Sequence, residues 1–337
     1  MSTVIEKKTK RTGGLAQRIL NPRVVPMLAT VFVCLVCYMI PALTLYGFGS
    51  AYTFANMLTV YAPLGIIAVG MTMVIISGGI DLSVGGVVAL CTVVIANLIL
   101  KNHLHPIVCW AIALSIGTGV GLVTGVLVRY YRIEPFIATL AGLFFTRGLA
   151  LILSGDKTIG MKHQFMDRMT DVHVKLGTAV IGIPVVVLLA VVFAGMYITF
   201  FTSFGRNLFA IGGNETAAHL MGLPVARTKL AVYMLSGFLA ALAAIVSTIS
   251  LPKGDPNTAY GWELNAIAAS VIGGALMTGG AGNIFGTLIG VIILSIIMFS
   301  LDFQNLSSYY ARILIGALML LFVVMQRFIS TTAYRKD

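Results

Sequence analysis

The chain is 337 residues long, 58% hydrophobic and only 10% charged. Soluble domains carry about 25% charged residues, so this composition excludes a soluble enzyme or binding module and points to a protein embedded in lipid. The formal net charge of +11 would suit nucleic acid in a soluble protein; in a membrane protein it marks basic ends on the cytoplasmic side, and no nucleic acid is expected as a partner.

Residues 1–26 read as a basic cytoplasmic tail, with Lys7, Lys8, Lys10 and Arg11 ahead of Pro22 and Pro26. The apolar run that follows shows no small-residue cleavage site, so a retained first span is expected over 27–46, kinked by Pro41. Its length matches a hydrocarbon layer of about 30 Å. Cys34 and Cys37 have C-x-x-C spacing but lie inside this apolar run. With no second ligand pair, they are read with Cys91 and Cys109 as small apolar residues, and no metal site is expected.

Further spans are expected at 53–77, 84–100, 107–128 and 136–153, then at 179–200 after a polar connection over 154–178. Four more follow at 230–250, 264–277, 284–301 and 309–324, ahead of a basic C-terminal tail, 329–337. The whole membrane domain is therefore 27–328. Between the second and third spans, residues 78–83 form a tight break in which Asp81 or Ser83 can cap the next helix. An even number of spans puts both termini on one side. Taking that side as cytoplasmic places Arg129, Arg132, Arg206, Arg227 and Lys229 inside with the tails, against Lys101, Lys157, Lys162, Arg168, Lys175 and Lys253 outside, as the positive-inside rule requires.

Segments 73–86 and 270–286 both set a glycine turn between short apolar stretches, one in each half of the chain. Paired interruptions of this kind suggest a transporter of two inverted five-helix halves with the path between them. Glycine and alanine also simply let helices approach in lipid, and both readings stand together.

The longest polar interruption of the second half is 204–225, FGRNLFAIGGNETAAHLMGLPV. Gly212 and Gly213 allow a sharp entry, Asn214 can cap, Glu215 suits the first turn, Gly222 suits the helix end and Pro224 prevents continuation. Ala217, Ala218, Leu220 and Met221 give this short helix a small apolar face. Such a knob between two spans suits docking on another protein, or is an ordinary cytoplasmic loop helix.

These residues resemble the coupling segment in permease subunits of bacterial ATP-binding cassette sugar importers, the branch for ribose, galactosides, xylose and galactofuranose. The stretch 65–86, GIIAVGMTMVIISGGIDLSVGG, is similar to a motif near the second span of that family. The stretch 135–150, PFIATLAGLFFTRGLA, is most similar to a galactofuranose-importer permease. The resemblance implies an all-α multi-pass protein of the inner membrane, with about ten transmembrane helices, cytoplasmic termini and a short cytoplasmic coupling helix. It implies a monosaccharide as cargo, a cytoplasmic ATP-binding subunit, a second permease that is either identical or a sister, and a periplasmic sugar-binding protein. Gly205, Arg206, Gly212, Gly213, Asn214, Glu215, Ala217, Ala218 and Gly222 are then expected to carry the ATPase coupling. A bulky residue at Gly213 or Ala217 is expected to uncouple hydrolysis from uptake.

Among the remaining residues, no Walker A sequence, nucleophile elbow or H-E-x-x-H occurs, so no catalysis and no bound cofactor are expected; ATP is used by the partner. Charges inside spans are costly and invite function. Arg147 either lines the path and donates to a sugar hydroxyl, or snorkels outward or holds a neighbouring helix. Asp81 is either part of an ion relay or, more economically, a cap, with Ser83 beside it. Glu263 and Asn265 enter the eighth span and can face the binding protein or the outer mouth of the path. Asp81, Ser83, Arg147 and Asn265 are the expected path residues. The rival functions are an ion-coupled secondary sugar carrier and a channel or membrane receptor; the glycine-flanked knob and the lack of paired membrane carboxylates argue against them.

Overall fold

A computed structural model describes residues 25–334. The expected tail over 1–26 lies outside the described residues but for its last two, as do residues 335–337 at the other end. The helices are α1 (Val25–Thr44), α2 (Ala51–Ile76), α3 (Ser83–Asn102), α4 (Pro106–Arg129), α5 (Pro135–Ser154), α6 (Gln164–Asp171), α7 (Ile183–Phe201), α8 (Ser203–Gly213), α9 (Glu215–Leu220), α10 (Val225–Ser250), α11 (Trp262–Ile272), α12 (Ile284–Phe303) and α13 (Ser308–Tyr334). Two antiparallel ribbons complete the order: β1 (Ile159–Gly160) pairs with β4 (Lys253–Gly254), and β2 (His173–Leu176) with β3 (Ala179–Gly182). Among the described residues, seven helices are long and apolar enough to cross a membrane, and three shorter apolar stretches lie in α1, α11 and α13. The all-α membrane architecture is therefore the one the sequence implies.

Several span boundaries differ from expectation: α10 starts at Val225 and not at 230, α13 continues to Tyr334, past the expected end at 324 and into the expected tail, and two further differences have a plain physical cause. Residues 179–182 belong to β3, and α7 starts at Ile183 with Pro184 in its first turn. A Val-Ile run reads as span or strand equally well, and the hairpin partner 173–176 decides. The eighth span stops at Ile272 instead of reaching 277, because Gly273-Gly274 ends α11 and Gly274 takes φ +99°. Residues 273–283 are non-helical up to the Asn283 cap, whose Oδ1 accepts from Phe285 N at 2.9 Å.

Helix α2 is the axis of the bundle. It is apolar all round, and every residue from 62 to 76 is buried, as expected of a helix without a polar face. It packs against α7, α10, α11 and α12. A hydroxyl cluster ties three of these helices: Thr72 Oγ1 donates to Ser270 Oγ of α11 at 2.9 Å, and lies 2.7 Å from Thr287 Oγ1 of α12.

The close packing of α4 on α10 rests on Gly117, Gly121 and Gly125, which form one stripe of α4. A Cβ on Gly117 would strike the Gly237 carbonyl, and one on Gly121 the Tyr233 carbonyl. Small residues at i, i+4 and i+8 let the two backbones touch, which is how helices gain packing energy in lipid. Gly121→Leu should therefore cost about 3 kcal/mol or more of packing strain. Detergent-solubilised protein should show a clearly lower melting temperature by fluorescence-detected size exclusion; an unchanged melting curve would sink this account of the pair.

Candidate functional site: the coupling knob and a glycine junction

Thr202 Oγ1 accepts from Gly205 N at 3.3 Å and caps α8. The stretch 204–213 is thus a helix of its own, where the sequence suggested only a glycine entry. Gly212 and Gly213 are its last residues, and the bend falls on Asn214 at φ −160° and ψ 105°. Beyond the bend the expectation holds: Asn214 Oδ1 accepts from Ala217 N at 2.9 Å, Glu215 opens α9, and Gly222 takes φ +77° after its end. Its apolar face, however, is divided. Ala218 is fully buried with Ile211 and Val225, whereas Leu220 and Met221 are 82% and 69% exposed. The helix is anchored through one alanine and presents two large apolar side chains outward.

Glu215 ties the knob to its neighbours. Its carboxylate faces Arg129 at the end of α4 at 3.5 Å and pairs with Lys229 in α10. Being 42% exposed, it serves register more than stability. Arg206 is exposed and Gly205 buried on α8.

Beneath the knob three backbone segments meet. Gly280 N donates to the Ile76 carbonyl at 2.9 Å, joining the end of α2 to the break before α12. A Cβ on Gly212 would strike both the Ile76 carbonyl and the Gly280 amide, and one on Gly279 would meet Gly78 and the Gly212 carbonyl. Gly78, Gly279 and Gly280 all have positive φ, +80°, +83° and +74°. Only glycine meets both demands, the left-handed backbone and the close approach. The two glycine breaks noticed in the sequence, 73–86 and 270–286, therefore converge on the end of α8.

A buried carboxylate braces this junction. Asp81 is 0% exposed; its Oδ1 accepts from Ser83 N at 3.0 Å and from Ser83 Oγ at 2.5 Å, and its Oδ2 accepts from Ser236 Oγ of α10 at 2.7 Å. The position before α3 is Leu82, with no side-chain cap. Asp81 thus satisfies the first amide from one residue further back, as an Asx turn, and neither Asp81 nor Ser83 is the N-cap that the sequence suggested.

Arg147 and Asn265 lie towards the opposite, ribbon-bearing end. Arg147 Nη1 donates to the carbonyls of Pro256 and Thr258, both at 2.8 Å, and Nη2 to Ala259 O at 3.4 Å, with the guanidinium 5.6 Å from the Tyr260 ring. It holds a loop. Glu263, which the sequence allowed to face the outer mouth, is turned inward against Gly85 of α3, and its Oε2 is buried without a hydrogen-bond partner. The bundle thus buries two carboxylates, Asp81 and Glu263, on either side of the first turn of α3, and the hydrogen bonds of Asp81 go to Ser83 and Ser236 and not to Glu263. Of the four expected path residues, Asp81 and Ser83 are brought together, and Arg147 and Asn265 are not brought to them; Asn265 is half-buried on α11. Arg147→Met removes three backbone bonds, each about 1 kcal/mol or more because the acceptors are partly buried. Amide hydrogen exchange over 255–260 should accelerate at least about tenfold in that variant; unchanged exchange would show that the loop stands without the guanidinium.

One cavity escaped sequence reading. At the ribbon-bearing end, an open cavity of about 520 Å³ is lined by α2, α6, α7, α10 and the loop before α11. Its walls come from segments about two hundred residues apart in the chain, a combination that no local motif announces.

The sequence, by contrast, has known relatives. Residues 53–323 match the family model described as branched-chain amino acid transport system / permease component. The chain is 40% identical to the inner membrane ABC transporter permease protein YjfF of Escherichia coli K12, over 90% of this chain and 92% of that one. It is 38% identical to the fructose import permease protein FruG of Bifidobacterium longum, over 91% and 92% of the two chains. It is 37% identical to the ribose import permease protein RbsC of Haemophilus influenzae, over 84% and 88%. No solved structure matches.

Proposed function

The chain belongs to the family of branched-chain amino acid transport system permease components, in the company of ABC sugar-import permeases, and we propose that it forms the path for one monosaccharide across the bacterial inner membrane. The observation that carries this reading is the knob: a capped helix anchored by Ala218 and presenting Leu220 and Met221 outward. A separate cytoplasmic ATPase docks there and supplies the work, and this chain binds no cofactor of its own. Both termini and the 204–225 segment face the cytoplasm, in line with the distribution of Lys and Arg. A second permease, identical or a sister, completes the membrane part, and a periplasmic sugar-binding protein delivers the cargo.

ATP binding moves the knob, with Arg206, Asn214 and Glu215 at its surface and the buried Gly205 packing α8 against the end of α7. Through Gly212 the displacement reaches the end of α2 and the break before α12 together, and the path opens to alternate sides. Asp81, Ser83, Arg147 and Asn265 act on that path chiefly by holding the segments that flank it. The likeness of 135–150 to a galactofuranose permease and the fructose and ribose named for relatives favour a pentose or hexose, galactofuranose first. Radiolabelled galactofuranose, ribose, fructose and arabinose offered to cells expressing the full system should give ATP-dependent uptake of one, galactofuranose preferentially. Uptake of none, at normal expression, would refute the assignment.

A further inference from the structure

We propose that the 520 Å³ cavity at the ribbon-bearing end is a monosaccharide subsite whose hydrogen-bonding groups are Asn56 and Asn257 and whose aromatic wall is Trp262. The inference rests on the sugar-permease reading and assigns it a place where sugar sits before entering the path.

The volume lies within the range of about 300–1,000 Å³ typical of small-molecule sites. The chemistry of the lining is that of a neutral polyol. Asn56 and Asn257 are both exposed at the open side of the cavity, neither side-chain amide is taken up by another described residue, and each offers two donors and an acceptor in one plane, a match to vicinal hydroxyls. The hydroxyls of Thr59 and Thr170 already donate to Ala55 O and Ile249 O, both at 2.9 Å, which leaves their oxygens as acceptors. The charges in the lining cancel locally: Asp255 Oδ2 lies 3.5 Å from Lys253 Nζ, so an ion gains nothing there that a neutral ligand lacks. Trp262 is one of only two tryptophans in the chain, and an indole wall stacks on the C–H face of a sugar ring.

The loop that supplies these groups is held in place before any ligand arrives. Asp255 Oδ1 accepts from Asn257 N at 2.9 Å, β4 is fixed to β1, and Arg147 takes three carbonyls of the same loop. Preorganisation of this kind lowers the cost of binding. It also gives the membrane-embedded guanidinium a role, as a positioning residue that acts through the loop without touching the sugar.

The test uses the full chain in lipid nanodiscs carrying Trp110→Phe. That change removes no hydrogen bond, since the Trp110 Nε1 is buried without a partner, and it leaves Trp262 as the sole indole. Titration with galactofuranose, D-ribose, D-fructose and L-arabinose should give a saturable change in Trp262 emission with whichever sugar the assembled transporter imports. Asn56→Leu combined with Asn257→Leu should weaken that response at least about tenfold, the effect expected of two lost hydrogen bonds. The same double variant in the assembled system should lower uptake while the protein keeps its melting temperature. An emission that no sugar alters, or a response equal in the double variant, overturns the subsite even though uptake by the parent chain is normal. Absence of uptake by the parent chain would instead remove the sugar-permease reading, and the subsite with it.

Discussion

Replacing Gly212 by valine should lower sugar uptake by about two orders of magnitude at normal membrane levels of the protein. The position leaves no room: a side chain would enter the space of the Ile76 carbonyl and the Gly280 amide, both backbone, and neither can rotate away as a flexible side chain would. Overpacking of this kind costs roughly 3 kcal/mol, enough to shift a two-state equilibrium about a hundredfold. Gly213 is the control for packing strain alone, since its own expected effect is on coupling at the exposed surface. It is exposed, and a Cβ there meets nothing within 4 Å, so Gly213→Val should leave the melting temperature unchanged. The ATPase should still co-purify with Gly212→Val, because the outward face of α9 is untouched. Full uptake by that variant would mean that the three-way junction does not carry the motion.

The second large effect is expected from Leu220→Glu together with Met221→Glu. Both side chains are mostly exposed in the isolated chain, so its stability should not change. Burying two such side chains in an interface contributes on the order of 3–6 kcal/mol, and a carboxylate in their place opposes burial further. Binding of the ATPase should weaken at least about a hundredfold, read as loss of co-purification and of transport-linked ATP hydrolysis. Retained binding would move the docking surface elsewhere. The pair separates two functions that a single loop variant would confuse: Gly212 reports transmission, and Leu220 with Met221 reports attachment.

The α9 knob was legible in the sequence because every device that makes it is local: an Asn cap three residues before the amide it accepts, a glycine just past the end, a proline that forbids extension. Helix α8 was not, since Gly205, Gly212 and Gly213 disfavour a helix and only tertiary burial of Leu208 and Ile211 overrides that preference. Residues 179–182 misled for a different reason, as an apolar run carries no mark that separates span from strand. The recurrence of glycine breaks in both halves was visible, yet their meeting point depends on Gly280 reaching Ile76 across the bundle. Arg147 stood out in the sequence as a charge inside an apolar run, but its three carbonyl partners lie more than a hundred residues away. The cavity wall is the extreme case, with Asn56 and Asn257 brought together only by the fold.

Transport driven from outside the chain is tested most directly by reconstitution. The purified protein in sealed liposomes, given an inward sugar gradient or an imposed ion gradient but no ATPase subunit, should accumulate no sugar above the outside concentration. Adding the ATPase, its ATP and the binding protein in the orientation of import should produce accumulation that Leu220→Glu with Met221→Glu abolishes. Uphill accumulation by the chain alone would contradict the account, since it would place the source of work inside a protein assigned only the path and the lever.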